Sequence, residues 1–118
     1  MTLEISVSKQ DTTCYLEPIG SLDTETYKML EDKIDENLVS GIKVIVINMS
    51  GVEYISSLGL GALIASKKKI EEKGGMFMMT SLQPKIQKVI EVVKTLPGLN
   101  VFKSVEEADA YLDKIQKG

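Results

Sequence analysis

Leu3, Ile5 and Val7 alternate with polar residues at the start of the chain, the period of two that sets one side chain in two on the same face of a strand. After the polar stretch Ser8 to Thr12, a second run from Thr13 to Ile19 is rich in strand formers, and the two predict an opening hairpin. Pro18 has no N–H to give a ladder and is expected at a strand end or an exposed edge. Between Asp23 and Ser40 the period changes. Tyr27, Leu30, Ile34 and Leu38 recur at spacings of three and four, with Glu31, Asp32, Asp35 and Glu36 between them, which predicts an amphipathic helix. Asp23 is placed to cap it, Leu22 and Tyr27 to staple its start, and Gly41 to end it.

Lys43 to Met49 is apolar and β-branched through its middle, the pattern of a strand covered on both faces. Ser50-Gly51 breaks the run, Val52 to Ile55 leads across, and a second helical pattern from about Ser57 to Lys73 carries Leu60, Leu63, Ile64 and Ile70. Past Gly74-Gly75, Met76 to Thr80 reads as another buried strand, its methionines as core filler rather than a binding surface, with Met29 flanking the first helix's stripe. Pro84 fits the first turn of a helix bearing Ile86, Val89, Ile90 and Val93, which Pro97-Gly98 ends. Val101-Phe102 is a short strand, and Ser104 with Glu107 forms a capping box before a last helix with Val105, Ala108, Leu112 and Ile115. Gln116 to Gly118 are expected to fray. The order β-β-α-β-α-β-α-β-α implies one α/β domain over residues 1–118, a mixed sheet of four or five strands with about four helices and right-handed crossovers.

With 118 residues, a second domain would leave neither half enough core. The 14 basic and 17 acidic residues are interspersed and sum to −3, so no strong positive field exists for nucleic acid. A single cysteine, Cys14, in an apolar-alternating segment reads as buried in a reducing compartment. No basic-then-apolar leader and no apolar run of about 18 residues is visible, so a cytoplasmic protein without a membrane span is expected. The chain has no histidine, its carboxylates show no ligand-like spacing, and no glycine-rich phosphate loop with lysine is present. A non-enzyme without metal or cofactor is the expectation.

The unusual segment is Tyr54-Ile55-Ser56-Ser57-Leu58-Gly59-Leu60-Gly61, which crowds two hydroxyls and two glycines into a strand-to-helix junction. Each glycine inside a helix costs about 1 kcal/mol relative to alanine, so two in the first turns point to a backbone or a partner approaching closely. Ser57 has two readings. Its hydroxyl can cap the helix, or it can receive a phosphate, which unpaired N–H groups and the positive end of the helix dipole favour.

Ile55 to Gly61 resembles the strand-to-helix motif of STAS domains, the module shared by anti-sigma factor antagonists and sulfate transporters. The resemblance takes in the element order, Gly20-Ser21-Leu22-Asp23, Gly74-Gly75 and Leu96-Pro97-Gly98-Leu99. It implies that Ser57, with Ser56 as a second candidate acceptor, is the phosphorylated serine. It also implies a partner-binding surface of Ser21, Asp23, Ser56, Leu58, Gly59 and Gly61. The chain departs from the family pattern in having Ser56 where aspartate is common, Leu58 where a small residue is usual, and Asn48 where the central strand often ends in aspartate. By resemblance the unmodified protein binds an anti-sigma factor with a serine-kinase fold and frees a sigma factor for transcription, phosphorylation by that kinase with ATP reverses this, and a serine phosphatase resets it. A monomer or weak dimer fits this role. The alternative is an unphosphorylated scaffold or transporter-associated subunit using the same surface for constitutive assembly.

Overall fold

The computed structural model describes residues 2–39, 41–92, 100–102, 104–107, 109, 110 and 114. The expectations for Val93, Leu96 to Leu99, Ala108, Leu112, Ile115 and Gln116 to Gly118 lie outside these residues. The two opening runs form the hairpin β1 (Leu3–Gln10) and β2 (Thr13–Leu22), followed by α1 (Tyr27–Val39), β3 (Val44–Asn48), β4 (Gly51–Ile55), α2 (Ser57–Glu72), β5 (Met76–Thr80), α3 (Pro84–Val92) and β6 (Asn100–Phe102). Residues 105–107, 109, 110 and 114 are helical as well, and Ser104 Oγ accepts from the Glu107 N–H at 3.1 Å, as its capping role requires.

One mixed sheet runs β1-β2-β3-β5-β6, antiparallel only between β1 and β2. The stretch from Val52 to Ile55, expected as a connection, hydrogen-bonds to β2 as β4. β2 therefore serves two parallel neighbours on one side, β3 over Thr13 to Leu16 and β4 over Ile19 to Leu22. Pro18 falls between these two registers. It is buried inside a strand rather than at an end, because the chain passing from β3 to β4 asks no donor of it there.

The sheet's pleat divides the core. Ile45, Ile47, Phe77 and Met79 face the side covered by Leu30 and Ile34 of α1, Leu60, Leu63 and Ile70 of α2, and Ile86 of α3. Val44, Val46 and Met78 face the other side, with Tyr15 and Met76 packed against them. Met78 and Met79 are fully buried, as filler should be, whereas Met29 is exposed beside the α1 stripe. On the second side the Tyr15 hydroxyl donates to Asp109 Oδ1 at 2.7 Å and ties the last helical stretch to the sheet.

Candidate functional site

The end of β2 and the start of α2 meet at one corner. The Ser56 N–H donates to the Leu22 carbonyl at 2.9 Å, which brings the glycine-rich junction against the Gly20-to-Asp23 segment. Ser56, not Ser57, is the helix cap. It has extended backbone (φ −92°, ψ 173°), its Oγ accepts from the Gly59 N–H at 3.1 Å, and its carbonyl accepts from the Leu60 N–H at 2.8 Å.

With Ser56 in that position, Ser57 is the first helical residue. It is exposed, and its hydroxyl has no hydrogen-bond partner among the described residues. The first turn of α2 holds no acidic residue to occupy the positive end of the helix dipole. The side chain therefore points a free hydroxyl into solvent where a dianion is electrostatically acceptable.

The two glycines differ. A Cβ on buried Gly59 would lie 2.3 Å from the Leu22 carbonyl oxygen and 2.9 Å from its carbon, so the close approach of α2 to β2 requires glycine. A Cβ on Gly61 would meet nothing within 4 Å. One turn beyond Ser57, the helix is thus left bare on an open face, and Leu58 beside it is 50% exposed.

Asp23 is only 8% exposed. Its Oδ1 accepts from the Glu25 N–H at 2.9 Å and the Thr26 N–H at 3.2 Å, while its own N–H donates to Thr26 Oγ1 at 2.9 Å. The Thr26 hydroxyl in turn donates to the Ser21 carbonyl at 2.6 Å. This reciprocal cap holds the turn from 24 to 26 that delays α1 until Tyr27, and it buries Ser21. The corner therefore brings all six motif residues and Ser57 together. Ser57, Leu58 and Gly61 form its open surface, Ser56 is half-buried, and Ser21, Asp23 and Gly59 build what lies beneath.

Asn48 ends β3, and its Oδ1 accepts from the Ser50 N–H at 3.0 Å to turn the chain into β4. Tyr54 on β4 is 48% exposed and lies opposite Ser21 in the ladder, an aromatic contributor to this end of the molecule. The alternation of Val52 and Tyr54 was the signal for it in the sequence, masked by the preceding Ser50-Gly51 turn. No group of three or more potential metal ligands occurs among the described residues, and no described helix is long and apolar enough to cross a membrane. A groove of about 470 Å3 lies on the opposite side of the sheet between Tyr15, Glu17, Asn48 and Asp109, and none of the motif residues lines it.

Residues 4–108 match the STAS domain family, and the chain belongs to it. Among similar proteins, the anti-sigma-B factor antagonist of Staphylococcus aureus is 26% identical over 108 residues, covering 90% of this chain and all of that one. The crystal structure of a Thermotoga maritima protein, provisionally named an anti-sigma factor antagonist, superimposes with a TM-score of 0.84 at 23% identity, over 91% of this chain and 92% of that chain. The Bacillus cell fate determinant SpoIIAA in its phosphorylated form superimposes with a TM-score of 0.72 at 19% identity, over 92% of this chain and 99% of that one.

Proposed function

We propose that this STAS domain is a cytoplasmic anti-sigma factor antagonist that acts by binding rather than by catalysis and is switched at Ser57. Unmodified, it holds an anti-sigma factor of serine-kinase fold, and the sigma factor goes free. The kinase transfers the γ-phosphoryl of ATP to the Ser57 hydroxyl, which ends the complex, and a serine phosphatase restores it. The observation that carries this reading is the division between adjacent serines: Ser56 makes the cap and Ser57 keeps a solvent-facing hydroxyl on the first helical residue. The names of the similar proteins, one of them in a phosphorylated form, support it.

The physical effect of the modification is local. A phosphate brings a charge of about −1.5 to −2 and a hydration shell to a surface whose neighbours are Leu58 and bare Gly61. A partner packed on that surface would have to desolvate the dianion, and the helix dipole offsets only a small part of that cost.

Incubation with the cognate kinase and ATP, followed by intact-mass measurement and peptide mapping, tests the reading. One added phosphate on Ser57, absent in Ser57→Ala and retained in Ser56→Ala, is the expected result. Ser57→Asp is expected to abolish capture of the anti-sigma factor. An unphosphorylated Ser57 together with unchanged capture by Ser57→Asp would instead establish constitutive assembly through the same surface.

A further inference from the structure

The face of the sheet away from α1, α2 and α3 carries the groove between Tyr15, Glu17, Asn48 and Asp109. Strand alternation explains its lining. Tyr15 packs with Val46 on this face and neighbours it in the ladder, and Glu17 lies opposite Ser6, so Ser6, Glu17, Val46 and Asn48 all project to this side. The last helical stretch crosses above them, held by the Tyr15–Asp109 bond, with Val105 and Asp109 on the far wall. Between wall and sheet lie about 470 Å3, within the roughly 300–1,000 Å3 of small-molecule sites.

Charge decides what such a space accepts. Glu17 and Asp109 are its carboxylates, and no lysine or arginine is among the described residues that line it. Lys9, the one base of β1, belongs to the other face, because it alternates with Leu3 and Ile5 and pairs with buried Cys14. Asp109 spends one oxygen on the Tyr15 hydroxyl, and Glu17 makes no hydrogen bond or ion pair among the described residues. Two carboxylates without a counter-ion, beside the apolar Val46 and Val105, set up a negative potential that draws a cation and turns away phosphate or sulfate. The groove also has hydrogen bonds to give. Asn48 Oδ1 is taken by the Ser50 N–H at 3.0 Å, which leaves its Nδ2 to donate. Its ladder partner Thr80, on the same face, buries a hydroxyl with no partner among the described residues. A ligand that combines a positive charge with its own hydroxyls answers both demands. We propose that this groove binds a small polyhydroxylated amine of the amino-sugar class, its ammonium group between Glu17 and the free oxygen of Asp109 and its hydroxyls toward Ser6 and Asn48. No residue of the Ser57 corner lines the groove, so its occupancy is separable from the switch.

Amide chemical shifts of the full chain, followed at slightly acidic pH where an amino sugar is protonated, test the site with three probes that share one ring: glucosamine, glucose and glucose 6-phosphate. Glucosamine is expected to shift the Ser6, Tyr15, Glu17 and Asn48 amides saturably, glucose to bind at least about tenfold more weakly, and glucose 6-phosphate not to bind. Glu17 is exposed, so Glu17→Gln should keep the fold, visible in the same spectra, and lower the glucosamine affinity by at least about tenfold. Asp32→Asn, which removes an exposed carboxylate on α1, should leave that affinity unchanged. Absence of saturation, equal affinity for glucose, or a glucosamine affinity that survives Glu17→Gln overturns the proposal, as does binding of glucose 6-phosphate at the same residues.

Discussion

Gly59 and Gly61 are the same residue two positions apart and do opposite things. Gly59→Ala places a methyl group against the Leu22 carbonyl and should destabilise the fold by about 1–3 kcal/mol in chemical denaturation. Gly61→Ala meets open space and should stabilise it by up to about 1 kcal/mol through helix propensity. The serines divide in the same way. Ser56→Ala should cost about 1 kcal/mol as a lost cap, and Ser57→Ala should change stability by less than about 0.5 kcal/mol. The sequence made the cluster visible but not this division, because an N-cap is defined by backbone angles and composition cannot say which of two adjacent serines leaves the helix. Asp23 is the converse case, for its capping role was legible from position, and the turn that buries it depends on Thr26, whose hydroxyl no periodicity marks.

Among the elements, those with long periodic stripes were legible. The runs around Ile45 and Met78 read as strands buried on both faces, and the Leu30-Ile34 and Leu60-Leu63-Ile70 stripes read as helices over the core. β4 was not, since five residues behind a Ser-Gly turn carry too little alternation to separate a strand from a connection, and its pairing with β2 is a tertiary fact. Pro18 misled for the same reason, as a proline is tolerated within a strand wherever the neighbouring ladder is interrupted. The last helical stretch is held partly through Tyr15, whose phenol is pushed up to about 12, first by burial, then by its hydrogen bond to Asp109 and that carboxylate's charge. A raised phenol favours the neutral folded form, so its contribution is complete below the unfolded value of about 10 and is lost as pH rises toward 12. Tyrosinate absorbance should show one late-titrating phenol that disappears in Tyr15→Phe and moves down in Asp109→Asn.

At the scale of the molecule, one sheet with three described helices on one side places the chain's single thiol where no reagent reaches it. Cys14 is fully buried and desolvation raises its pKa, so a disulfide-exchange reagent should modify it at the rate of unfolding, and saturating denaturant should release one equivalent of thiol per chain. β2 pairs with three other strands, β1 on one side and β3 and then β4 on the other. During synthesis the hairpin leaves the ribosome before β3 and β4, and β2 lacks its full set of parallel neighbours until Ile55 has been made. The helix start bearing Ser57 closes onto Leu22 only after that, so under the proposed switch a kinase meeting a nascent chain would find a serine on an unformed surface, and its recognition of this corner would double as a check that folding is complete.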